Sequence, residues 1–159
     1  MFDITEEDIQ LHKEWLKTYG EGGKQIDRPG RNFSGQDHSG KHYERARFIG
    51  TNFSKANLSG ANMEATDCSG ATFTGANMSN ANLRGADLGA VTLDGVNLSG
   101  ADLTDADLSG ATLINANLSN ANLTNADLLA ANLTGAKQDG IKLDGAKTRD
   151  AQGLVNPPS

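Results

Sequence analysis

The chain is short of nearly everything an ordinary protein core is made from. Of its 159 residues 36% are apolar and 5% aromatic, with one Trp and three Pro, against roughly 45–50% apolar in a typical globular chain. Its one cysteine, Cys68, excludes an intramolecular disulfide framework and fits a reducing compartment. No apolar run approaches the ~20 residues of a membrane-spanning helix, so no membrane association is expected. The stretch Met1-Phe2-Asp3-Ile4-Thr5-Glu6-Glu7-Asp8 has neither a basic region nor an apolar centre. No secretory signal is therefore expected, and the expected location is the cytoplasm. So little apolar mass beside 19 Gly would ordinarily point to a thin core or to disorder. Cations are missing from one region: no Lys or Arg lies between Arg84 and Lys137, while Asp87, Asp94, Asp102, Asp105, Asp107 and Asp127 do.

What is present is a repeat of five. Residues 31–150 divide into 24 consecutive pentapeptides without insertion or deletion, as Ala101-Asp102-Leu103-Thr104-Asp105 and Ala116-Asn117-Leu118-Ser119-Asn120 show. The third, central residue is Leu, Phe, Met or Tyr in 20 units; the exceptions are His38, Cys68, Gln138 and Thr148. The first residue is Ala in 16 units and the fifth is Gly or Asn in 17. A period of five matches neither the 3.6 of a helix nor the 2.0 of a strand. The chain must bend once per unit, with Gly or Asn supplying the backbone freedom at the bend. One unit buries almost nothing, so successive turns must stack on one another as a solenoid. In a narrow tube Ala beside Leu is the right filling, and the shortage of bulk is explained.

The A-(D/N)-L-x-x array resembles the pentapeptide-repeat family over residues 31–150. The resemblance implies an all-β solenoid, a right-handed quadrilateral parallel β-helix with four units per coil and about six coils. Residues 20 apart then stack at about 4.8 Å. The centres form four interior ladders, one reading Phe33, Phe53, Phe73, Leu93, Leu113, Leu133. Second positions face outward, and one column reads Arg47, Asp67, Asp87, Asp107, Asp127, Lys147. Four carboxylates bracketed by two cations form the candidate interaction face. Ile49, Ile114 and Leu129, at fourth positions, are expected to be exposed.

Ahead of the array, Thr5 reads as the N-cap of a helix over residues 5–19, with acids in its first turn. Its face carries Ile9, His12, Trp15, Leu16 and Tyr19. An open solenoid end exposes unpaired backbone and apolar side chains. Residues 1–30 are therefore expected to form a capping α-helix and linker, the same helix face being an alternative docking site. Residues 151–159, closing in Pro157-Pro158, read as a polar tail.

No enzyme is expected. His12, His38, His42 and Cys68 are the only soft ligands, none at zinc spacing, and a packed tube offers no substrate cavity. No metal, cofactor or direct nucleic-acid binding is expected of this acidic chain. The leading reading is a non-enzymatic bacterial rod, monomer or end-to-end dimer, that presents flat faces to a protein partner. The resemblance to quinolone-resistance pentapeptide proteins implies a second, a DNA mimic that inhibits or protects DNA gyrase or another topoisomerase. The third is a secreted effector or accessory protein.

Overall fold

The computed structural model describes residues 3–155; the two prolines of the expected tail lie outside the described residues. One helix, α1 (Glu6–Lys17), precedes a path in which each residue at a second position up to Asn132 bridges, in parallel, the residue 20 positions on. The series runs from Asp27↔Arg47 to Asn132↔Gln152, so pairing begins four residues ahead of the expected array. Twenty residues are four pentapeptides, so each turn of the path has four sides.

Three main-chain hydrogen bonds per unit hold one turn to the next. The central N–H donates to the C=O of the following turn's second residue, as Leu83 does to Asp102 at 2.7 Å. The fifth N–H donates to the next fourth residue, Gly35 to Ser54 at 2.9 Å, and the second N–H returns to the previous first residue, Asn52 to Arg31 at 2.8 Å. A corner closes each unit, for example by the Ala46 N–H on Tyr43 O. The fifth residue of every unit takes a positive φ, from 53° at Ala65 to 72° at Gly135. This is why Gly and Asn dominate there.

The centres fill the tube. Leu83, Leu88, Leu93, Leu98 and their successors to Leu133 have no exposed surface, and the first-position Ala residues almost none. The early turns carry the aromatics: Phe53 stacks on Phe73 with centroids 5.3 Å apart, and Phe48 meets Phe53 edge-on at 5.1 Å. From Ala136 onward the inward residues Ile141, Leu143 and Ala146 are only partly buried, so the tube loosens toward its C-terminal end.

Thr5 and Asp8 cap α1 reciprocally: Thr5 Oγ1 accepts the Asp8 N–H at 3.1 Å, and Asp8 Oδ2 accepts the Thr5 N–H at 2.9 Å. The helix stops sooner than its apolar pattern implies. Thr18 is the C-cap, Tyr19 turns left-handed at φ 54°, and the Gly20 N–H closes on Trp15 O at 2.9 Å. Tyr19 is therefore not on the helix face as expected; it stands 91% exposed beyond the helix. The chain then runs back along α1, the Lys24 N–H meeting Leu11 O at 3.0 Å. Gly23 permits this close pass, since a Cβ there would collide with Leu11 O.

Non-glycine residues at fifth positions carry a local cost. Ala65 and Ala130 hold φ near 53° and 56°, a region that costs an L-residue about 1–2 kcal/mol, partly offset by glycine's greater unfolded-state freedom. Ala65→Gly and Ala130→Gly are expected each to stabilise the fold by about 0.5–1 kcal/mol. Thermal or denaturant unfolding of the single variants measures it.

Candidate interaction surfaces

The second position does more than face solvent. Its Asn or Asp Oδ1 accepts the N–H of the fourth residue of the same unit: Asn57 from Ser59 at 3.2 Å, Asp67 from Ser69 at 3.2 Å, Asp107 from Ser109 at 2.8 Å. Both residue types have that acceptor, which is why they alternate along the array. Where Asn stacks on Asn, the amides also link turn to turn. Asn77 Nδ2 donates to Asn57 Oδ1 at 3.4 Å, Asn97 to Asn77 at 3.2 Å and Asn117 to Asn97 at 3.2 Å. Asn57 itself donates to Asp37 at 3.0 Å, so this face carries a continuous polar ladder.

The acidic column is assembled as a column: Arg47, Asp67, Asp87, Asp107, Asp127 and Lys147 bridge in that order. Its two cations differ from their expected role at one end. Lys147 Nζ lies 2.9 Å from Asp127 and holds that carboxyl below its ordinary range. Arg47 turns the other way and pairs with Asp27 at 2.9 Å, so Asp67 gains no bracketing ion pair. Asp87 and Asp107 are exposed, Asp67 and Asp127 half-buried. Two like charges about 5 Å apart in water repel by roughly 1 kcal/mol, comparable to the 0.5–1.5 kcal/mol of one turn hydrogen bond.

On α1, Ile9 and His12 are buried and Trp15 and Leu16 half-buried. His12 is the centre of the contact. Its Nδ1 accepts the Ile26 N–H at 3.1 Å, and its Nε2 lies 2.7 Å from Glu44 O. A backbone N–H can only donate and a carbonyl can only accept, so the neutral imidazole carries its proton on Nε2. Burial holds its pKa below the ordinary value. Trp15 stacks on its ring with centroids 5.7 Å apart. Arg28 with Asp8 at 2.7 Å, Gln36 with Asp3 at 3.0 Å and Lys41 with Glu6 complete the attachment. Below α1, His38 is buried with Nδ1 2.7 Å from the Tyr43 hydroxyl, and burial lowers its pKa too. Helical spacing marks His12 as a face residue, but not as the bridge between Ile26 and Glu44.

The pentapeptide-repeat profile matches residues 32–64, 51–89, 61–100 and 101–137, in eight copies. The chain belongs to the pentapeptide-repeat family. Members form right-handed quadrilateral β-helices, which gives the four-sided path its hand. Among solved structures the chain is similar to a pentapeptide repeat protein of the Arabidopsis thaliana thylakoid lumen. The two share 33% identity over 60% of this chain and 66% of that one, with a TM-score of 0.58. Rfr23 of the cyanobacterium Cyanothece 51142 is 25% identical over 92% of this chain and 99% of its own, at a TM-score of 0.48. The fluoroquinolone-resistance protein QnrB1 is 18% identical over 77% of this chain and 91% of its own, at 0.32. No curated protein sequence matches.

The pentapeptide-repeat path places the remaining candidates. Cys68 is buried between turns and its thiol is pushed up to about 12, chiefly by burial, so it fills space and is not a nucleophile. His42 is exposed and lies 3.0 Å from Glu44. Ile49, Ile114 and Leu129, expected to be exposed, are half-covered. Among the described residues no group of three His, Cys, Asp or Glu is placed to hold a metal ion, and no helix is long and apolar enough to cross a membrane. A cavity of about 550 Å3, unforeseen in a packed tube, lies at the C-terminal end beside Gln138, Ile141, Leu143 and Val155.

Two tests follow from this geometry. Asp87→Asn and Asp107→Asn keep the turn acceptor and remove repulsion, so the melting temperature is expected to rise slightly. Asp107→Ala removes the same charge but also loses the bond to the Ser109 N–H, so its melting temperature should lie about 2–4 °C below that of Asp107→Asn. The second test uses pH. A buried base with a lowered pKa is neutral when docked, so the undocked state binds more protons as pH falls below its ordinary value of about 6.5. Attachment of α1 is therefore complete above that pH and weakens below it. Fluorescence of Trp15 should report the change between about pH 6.5 and 5, with His12→Phe removing its share and leaving that of His38.

Proposed function

We propose that this chain is a rigid, non-enzymatic rod of about six coils, capped at its N-terminal end by α1, whose flat faces bind a protein partner. The domain limits that go with this reading are residues 1–30 for the cap and its linker, 31–150 for the rod and 151–159 for a tail. A reducing compartment such as the cytoplasm suits its single buried thiol.

The observation that carries the reading is the pre-ordered polar surface. Second-position side chains are held by their own turn bonds and, on the Asn face, by amide-to-amide bonds between turns. A partner binding such a face orders few side chains, so less of its contact energy is lost to entropy. The acidic column adds selectivity for a basic surface.

The same column supports a second reading, imitation of DNA toward a topoisomerase, as the likeness to QnrB1 suggests. Charge density weighs against it. One carboxylate per turn is one charge per ~4.8 Å, about a third of the density of duplex DNA, which carries one per ~1.7 Å.

The experiment is capture of partners on immobilised full-length protein, repeated with the Asp67→Asn, Asp87→Asn, Asp107→Asn variant. A bound protein that is lost on the variant, while circular dichroism stays unchanged, is expected; unaltered capture would remove the acidic face from the reading. In a gyrase supercoiling assay with a fluoroquinolone, no effect is expected at micromolar protein. Protection or inhibition there would put the DNA-mimic reading first.

A further inference from the structure

The two edges of every coil are different. Toward the C-terminal side each unit presents two donors and one acceptor, the N–H groups of its central and fifth residues and the C=O of its first. Toward the N-terminal side it presents two acceptors and one donor. Stacked in one direction these edges satisfy each other, and the last described coil, residues 136–150, turns its donor-rich edge outward. Among the described residues nothing accepts from the N–H groups of Gln138, Gly140, Leu143 and Gly145. Unpaired strand edges of this kind are templates for another chain.

The side chains on this rim are also unlike those below it. Second positions carry Lys137 and Lys142 where the preceding coil has Asn117 and Asn122. Neither lysine has an ion-pair partner among the described residues. Ile141 and Leu143 are only partly buried and, with the exposed Val155, border the 550 Å3 cavity. On one side the chain itself lies over the edge and shows what an occupant looks like. Gln152 bridges Asn132, and the Gln138 side-chain amide donates to Gly153 O at 2.7 Å and accepts the Val155 N–H at 3.0 Å.

We propose that the edge over residues 136–145 docks an extended acidic segment of another protein, which adds to the solenoid as a further coil. Its carbonyls accept the N–H groups of Gln138, Gly140, Leu143 and Gly145, an apolar side chain covers Leu143, and a carboxylate sits above each of Lys137 and Lys142. The chain's own second-position pairs show that a separation of one coil suits such a contact: Arg47 with Asp27, and Lys147 with Asp127, join a cation and a carboxylate at 2.9 Å, the cation in each standing on the later coil.

A second copy fits less well. Tail to tail, donors face donors and lysines face lysines; head to tail, α1 lies across the acceptor edge of the first coil. Edge lysines repel indiscriminate strand pairing, and an acidic segment turns that protection into selectivity. The proposal rests on the protein-interaction reading and names a surface and a partner chemistry within it.

The probe is an end-blocked peptide with the sequence of residues 101–110, which carries Asp at both second positions and Leu at both centres. It is titrated into full-length protein and followed by amide NMR. Shifts are expected at Gln138, Gly140, Leu143 and Gly145, with affinity falling as salt rises. Affinity should fall about tenfold or more for the peptide with its second-position residues Asp102 and Asp107 replaced by Lys, and for the Lys137→Glu, Lys142→Glu protein. No shift at about millimolar peptide, or shifts confined to the flat faces, would overturn the proposal. Protection of those four amides from exchange in the free protein would also overturn it, by assigning the edge to the chain's own tail. A dimer in light scattering that Lys137→Glu dissociates would assign it to a second copy instead. Partner capture that depends on the acidic face while the peptide fails would remove the edge and leave the rod reading standing.

Discussion

Everything in this molecule depends on one constraint, the parallel main-chain ladder that joins each residue to the one 20 positions away. Three hydrogen bonds per unit recur on each side of the path, and they can be made only if each unit turns through a corner. The corner demands a positive φ at the fifth residue. Where the second residue is Asn or Asp, its side chain also accepts the N–H of the fourth residue. Composition that looks impoverished by the standard of an ordinary core is what such a tube requires. A large residue fills it once per side, a small one sits beside it, and the remaining three form the corner and the surface.

The same constraint makes the exterior a surface of fixed columns. Asn and Asp serve the turn equally, so the fold tolerates either. The charge pattern is then set by which of the two stands at each site. A run of Asp costs some repulsion without costing the turn, and so the rod can carry an acidic strip without giving up its structure. Ion pairs at second positions form along the column, one coil apart, and they bind neighbouring coils as well as balancing charge.

A ladder with direction has unlike ends. At the N-terminal end α1 lies on the aromatic coils, held by His12 between a backbone donor and a backbone acceptor, with His38 buried beneath it. Burial there disfavours protonation of both imidazoles, so protonation opposes docking. At the C-terminal end the donor edge, the partly buried Ile141 and Leu143, and the lysines at 137 and 142 lie together. The middle of the coil stack is repetitive, and departures from the repeat are concentrated at its ends.

The sequence by itself determined the period, the interior ladders and the corner, because each is a property of one pentapeptide repeated in phase. The Leu, Phe and Met centres and the Asp67 to Asp127 column were legible for that reason; the N-cap role of Thr5 was legible from its local sequence, and the reciprocal bond from Asp8 was not. What only the tertiary structure decided involves a choice between neighbours or a contact outside the repeat. Arg47 has a column neighbour on each side, and the repeat does not say that it turns to Asp27 instead of Asp67. His12 meets Ile26 and Glu44 across a fold-back made possible by Gly23. Tyr19 falls outside α1 because a left-handed turn ends the helix where its apolar spacing would continue. The donor-rich edge at Gln138 to Gly145 exists only once the coils are stacked, since the direction of stacking decides which backbone groups the last described coil presents.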